Sequence, residues 1–162
     1  MLVFSLPIVA QTTGTSSIPA TCGPNDVEFV VHKTTTLAPS QISGGKSRLI
    51  IFSEAYGKYL GCPVVTRVAL DGSWLGASCL GTYISAEISP GQHHLCANIQ
   101  AKTDYKNKAL FSFLAEPGKT YYFRATTILG MDPNAAIHLD ALNSDEGGML
   151  STNWQQAESK RK

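Results

Sequence analysis

Apolar and polar residues alternate most regularly over residues 66–100, TRVALDGSWLGASCLGTYISAEISPGQHHLCANIQ. A period of two is the mark of a strand half buried in a sheet. Asp71-Gly72 lies between apolar arms and favours a two-residue type I′ turn, because both central positions need positive φ. The register that follows sets Ala69 opposite Trp74, Val68 opposite Leu75 and Arg67 opposite Gly76. One face then carries Val64, Thr66, Val68, Leu70, Leu75 and Ala77, the better core face. The other carries Val65, Arg67, Ala69, Trp74 and Gly76. Ser89-Pro90-Gly91-Gln92 fits a type II turn, with Pro90 presetting φ and Gly91 supplying the positive value. It predicts a second hairpin with Ile84, Ala86, Ile88, His93, Leu95, Ala97 and Ile99 on its inner face. Tyr83, Ser85, Glu87, His94, Cys96 and Asn98 take the outer face, with His94 opposite Glu87.

The same patterning extends outward from this stretch. Residues 27–33 read as a strand, and 48–53, RLIIFS, as a central one. Residues 109–115 and 120–127 form a third predicted hairpin around Glu116-Pro117-Gly118-Lys119, with Pro117 and Gly118 as its turn residues. Phe111, Phe113 and Tyr122 fall on one side of it, and Leu110, Leu114, Tyr121 and Phe123 on the other, so both faces call for cover. Residues 135–142 supply a last strand. Ser144-Asp145-Glu146 resembles a helix start, which Gly147 and Gly148 limit to a short turn near Met149. Short strands with regular turn signals predict an all-β fold, a small antiparallel β-sandwich of immunoglobulin or prealbumin kind. About seven to eight strands and little or no helix are expected.

Composition bounds this picture without changing it. The chain has 162 residues, 43% hydrophobic and 15% charged, which suits one domain. Residues 26–153 form that domain, 11–25 a Thr/Ser/Gly-rich flexible lead-in, and 154–162 a polar tail ending in Lys160, Arg161 and Lys162. A net charge of +1 offers nothing that would hold nucleic acid. Residues 1–10, MLVFSLPIVA, are apolar and too short to span a bilayer. Ile8-Val9-Ala10 ahead of Gln11 reads as the end of a signal peptide, although a basic n-region is missing. An exported protein is expected, periplasmic, envelope-associated or secreted, with no transmembrane segment in the mature chain.

Candidate chemistry is sparse. His93 and His94 are neighbours on one strand, point to opposite faces and cannot share an ion. His138 and Asp140 share a face but lack a third ligand, so no metal site and no cofactor are predicted. There is no G-x-S-x-G elbow, Walker loop or G-x-G-x-x-G, and no catalytic set can be named. The four cysteines of an exported chain can oxidise, with three connectivities open. Cys62 lies diagonally from Cys79 across the first hairpin, and Cys96 is placed where the N-terminal segment could cross with Cys22. Four separate free thiols are the alternative. Trp74 and Arg67 share the poorer face of the first ribbon. Either Arg67 stacks on the indole as a packing contact, or the pair anchors a partner.

The series V-A-L-D-G-x-x-x-G, G-T-Y, P-G-x-H-x-L and P-G-K-T-Y-Y-F-R, over residues 47–153, resembles an uncharacterised bacterial family, domain of unknown function 2846. Its first part is similar to the PEGA repeat domains of surface-associated bacterial proteins. The resemblance implies a small β-sandwich and supplies no catalytic residues. The resulting expectation is a non-enzymatic module for binding or interaction at the bacterial cell envelope, with an envelope protein or glycan as partner. The alternative is an envelope-acting hydrolase with a site near His138 and Asp140.

Overall fold

Each strongly alternating run forms a strand in the computed structural model, which describes residues 21–35, 40–55, 62, 64–100, 108–128 and 136–162. The strands are β1 (Phe29–Thr34), β2 (Ser47–Ala55), β3 (Val65–Leu70), β4 (Ser73–Cys79) and β5 (Thr82–Ile88). They continue with β6 (Gly91–Gln100), β7 (Lys108–Ala115), β8 (Thr120–Ile128), β9 (Ala136–Leu142) and β10 (Gln155–Arg161). One helix, α1 (Ser144–Asn153), precedes β10. A six-stranded sheet, in the order β1-β10-β5-β2-β8-β9, faces a four-stranded sheet, β4-β3-β6-β7. The β10–β5 and β2–β8 pairs run parallel and the others antiparallel. The fold is all-β, as expected, with ten strands among the described residues rather than seven or eight.

Between the sheets Leu49, Ile51, Ile84, Ile88 and Phe123 meet Val68, Leu70, Leu95, Ala97, Ile99 and Phe113. The alternation therefore identified the inward side chains of β3, β5 and β6, though not those of β4 beyond its bulge or of β8. It did not identify which strands pair. Neither Pro90-Gly91 nor Pro117-Gly118 closes a hairpin. β5 pairs with β2 and β10, β6 with β3 and β7, so residues 89–91 carry the chain from one sheet to the other. Residues 116–119 do the same between β7 and β8. In such a crossing the two strands meet side chain to side chain across the core. Between β5 and β6 the inward positions are thus those of a hairpin, while hydrogen-bonded partners differ. Between β7 and β8 they are not, because Tyr121 and Phe123, rather than the expected Tyr122, meet Phe111 and Phe113 in the core, and Tyr122 turns outward under α1. Glu87 accordingly faces Arg48 and His94 faces Ser112, in place of the predicted Glu87–His94 pair.

The Asp71-Gly72 hairpin is present, with φ of 51° and 78° at its two central residues. Ala69 faces Trp74, but a bulge then inserts Leu75, so Val68 meets Gly76 and Arg67 meets Ala77. The extra residue turns Leu75 outward and moves Ala77 to the Trp74 side, the reverse of the expected placement of both.

Two further differences concern the C-terminal part. The tail 154–162 is mostly strand: β10 pairs along its whole length with β1, Phe29 to Arg161 and Thr34 to Gln156. Its polar sequence hides this because Ala157 is its one buried side chain, and its place is set by backbone partners on either side. The short helical turn is a ten-residue helix, capped by Asn143, whose Oδ1 accepts the Glu146 N–H at 2.9 Å. Gly147 suits rather than opposes it, because a Cβ there would run into the Tyr122 ring. The signal-peptide remnant 1–10 and most of the lead-in 11–25 lie outside the described residues, whereas residues 21–25 rest on the four-stranded sheet.

Candidate binding surface

The outer face of the four-stranded sheet holds Trp74 and Arg67, and it is closed. Cys22 is bonded to Cys96 on β6, with Cα atoms 5.2 Å apart, which lays residues 22–29 across the sheet. Trp74 Nε1 donates to the Pro24 carbonyl at 2.8 Å, and Phe29 meets the indole edge-on at 6.4 Å. Gly23 passes so close that a Cβ would strike the ring. The Arg67 guanidinium stands 4.8 Å from the ring centroid. Its Nε donates to Asn98 Oδ1 at 2.9 Å, and its Nη1 to the Asn25 and Val27 carbonyls at 3.1 and 2.7 Å. Trp74 retains 7% of its surface. The arginine–indole contact is thus part of a packed cluster, and the N-terminal segment occupies the position in which a partner would meet Trp74 and Arg67. Cys62 is bonded to Cys79, with Cα atoms 5.1 Å apart.

Three of the four histidines bear on candidate chemistry, each in a different setting. His93 is buried, with Nδ1 2.7 Å from Asp71 Oδ2 and Nε2 2.7 Å from the Ser89 carbonyl, so both ring nitrogens are engaged. Asp71 also accepts the His94 N–H at 2.8 Å, which locks the first turn to β6. His94 Nδ1 lies 2.7 Å from Ser112 Oγ. His138 and Asp140 are exposed on the edge strand β9, facing Thr126 and Arg124 across the ladder. Arg124 itself pairs with Glu54 and Glu146. Among the described residues no group of three potential metal ligands comes together.

The outer face of the six-stranded sheet is covered only in part. Phe52, Tyr83 and Tyr122 pack under Leu150 and Trp154 of the α1 region. Beyond them lies a hollow of about 310 Å³, lined by Gln41, Ser43, Arg48, Ser85, Glu87 and Gln156. Arg48 and Glu87 are cross-strand neighbours on β2 and β5, and Gln156 arrives on β10 beside Tyr83. Arg48 is 8% exposed, and its guanidinium donates to the Ser40 and Gln41 carbonyls at 3.3 and 2.8 Å. Glu87 accepts the Ser43 N–H at 2.9 Å and lies 4.0 Å from Arg48. Hydrogen bonds from the Ser43 side chain and backbone, with smaller help from Arg48 and Lys46, hold the Glu87 carboxyl below the ordinary range. Gln156 Oε1 is enclosed and has no hydrogen-bond partner among the described residues. A second hollow, about 430 Å³, lies at the start of α1 among Asn143, Asp145, Glu146 and Met149, with no buried cation in its wall.

Arg48, Ser85 and Gln156 were not singled out by sequence reasoning, and Glu87 only as a cross-strand partner of His94. Arg48 and Glu87 meet only because β5 pairs with β2, and Gln156 belongs to a stretch read as tail. Compared with protein-family models, curated proteins and solved structures, the chain matches none.

Proposed function

We propose that this protein is an exported, non-enzymatic β-sandwich module of the bacterial cell envelope, and that the Arg48–Glu87 hollow binds a hydroxyl-rich envelope glycan. Two disulfides fit an oxidising compartment, and no described helix is long and apolar enough to cross a membrane. The observation that carries the reading is that Gln156, whose Oε1 finds no hydrogen-bond partner among the described residues, lines the same hollow as a buried guanidinium and an ionised carboxylate. Such an acceptor is costly unless a donor reaches it, and a sugar hydroxyl can donate to Gln156 while accepting from a neighbour. The volume lies at the small end of ligand sites, enough for a short saccharide rather than a folded partner. The hydrolase alternative has less to stand on, since His138 and Asp140 project from an exposed edge.

The test is a titration of labelled protein with soluble peptidoglycan fragments and envelope polysaccharide, followed by NMR. Shifts should change at Ser85, Glu87 and Gln156, and Gln156→Ala should weaken binding about tenfold, the worth of one lost hydrogen bond. Unchanged shifts in the hollow, or full binding by Gln156→Ala, would reject the glycan assignment.

A further inference from the structure

Sheet edges expose unpaired backbone groups, and folded proteins guard them with charges, bulges or cover. Among the described residues, three of the four sheet edges are guarded. β1 carries exposed His32 and Lys33, and β9 carries His138 and Asp140. β4 is bulged at Leu75, and its Ala77 N–H donates to Ser159 Oγ at 3.0 Å. β7 is different. It is eight residues long, lies at the edge of the four-stranded sheet, and has a single charge, Lys108, at its first position. Its outward side chains include Leu110 and Leu114, 54% and 61% exposed.

The sequence of this edge is a palindrome. Residues 109–115 read A-L-F-S-F-L-A about Ser112, flanked by Lys108 and Glu116. An antiparallel strand paired with itself about Ser112 would set Ala109 against Ala115, Leu110 against Leu114 and Phe111 against Phe113 of the second copy. Ser112 would face its own counterpart on the two-fold axis. Lys108 would face Glu116, which already pairs with Lys119 of its own chain, so a second cation joins that carboxylate at both ends by symmetry. On the outward side this aligns four leucines between two ion pairs, the self-complementarity that an isologous interface requires.

We propose that β7 is a homodimerisation edge: two copies pair antiparallel about Ser112, joining their four-stranded sheets into one continuous sheet of eight. A single strand edge buries less than a standard interface of about 1,600 Å², so the dimer is concentration-dependent. This inference is independent of the glycan hollow, which lies on the other sheet.

Sedimentation of the full chain over a wide concentration range should show a monomer–dimer equilibrium that Leu110→Lys weakens at least tenfold. Glu116→Lys should weaken it several-fold, and the double exchange Lys108→Glu with Glu116→Lys should restore it, because the pair is then reversed in both copies. Ser112→Cys should cross-link to a dimer under mild oxidant, and Ser73→Cys, far from the axis, should not. A chain that stays monomeric, a dimer indifferent to Leu110→Lys, or charge reversal without rescue would overturn the proposal. So would open-ended multimers, or dimers formed only once residues 1–20 are removed, which would assign the edge to that segment.

Discussion

The two outer sheet faces each carry a buried arginine, and the arginines end in opposite situations. Arg67 is spent on its own chain: Asn98, the Asn25 and Val27 carbonyls and the Trp74 ring surround it, and a disulfide holds the covering segment down. Arg48 donates to two loop carbonyls yet still lines an open hollow, beside a carboxylate and an unpartnered amide oxygen. An aromatic and an arginine on one sheet face look like a binding site in sequence. Whether they are one depends on what crosses them. A segment anchored at Cys22 converts that face into a second core.

The contrast can be broken most forcefully at the bridges. Removing Cys22–Cys96, which spans 74 residues, should cost about 4.5 kcal/mol by loop-closure arithmetic, against about 3 kcal/mol for Cys62–Cys79, which spans 17. Urea melts of the two double-serine variants check the order. Loss of Cys22–Cys96 should also raise the exposure of Trp74, seen as a red shift of its fluorescence. Equal melts, with no shift, would mean that the N-terminal segment is held without its bridge.

Single side chains come next. Trp74→Ala should cost about 3–5 kcal/mol, as a large buried aromatic does, and leave ligand binding per folded molecule unchanged. Arg48→Ala should cost about 1–3 kcal/mol through the two hydrogen bonds it loses, and abolish binding in the hollow. Thermal melts paired with the saccharide titration separate the two. The comparison fails if Trp74→Ala melts normally or Arg48→Ala binds fully.

The smallest effect is a pH dependence confined to the open face. The Glu87 carboxyl is depressed chiefly by its hydrogen bonds from Ser43. Its contribution is therefore present above the ordinary glutamate range and disappears as pH falls through the lower native value. Side-chain carbon shifts of Glu87 should titrate below those of a free glutamate, and Ser43→Ala should move the midpoint upward. An ordinary midpoint in the parent chain would show that the loop bearing Ser43 is not held to β5.

Much of the architecture could be read from the chain because burial has a period. Leu95, Ala97 and Ile99 point inward whichever strand lies beside them, and Asp71-Gly72 turns locally because both residues accept positive φ. Partners are another matter. Pro90-Gly91 and Pro117-Gly118 look the same in sequence whether the chain returns beside itself or crosses to the opposite sheet, and here both cross. β10 has one buried side chain, so no pattern announces it; the free edges of β1 and β5 do.

The all-β class, the inward faces of β3, β5 and β6 and the first turn are written in the chain, since each follows from interactions a few residues apart. The faces of Ala77 and Phe123 are not, because a bulge and a sheet crossing shift them by one residue. The sealing of Trp74 and the meeting of Arg48, Glu87 and Gln156 at one hollow come from packing between distant segments. Those outcomes rest on contacts between segments 40 to 110 or so apart in the chain, where chain connectivity alone says little about which surfaces meet. Ser112 and its symmetric neighbours stand between the two: the palindrome is written in the sequence, but only the sheet order shows that it lies on an edge.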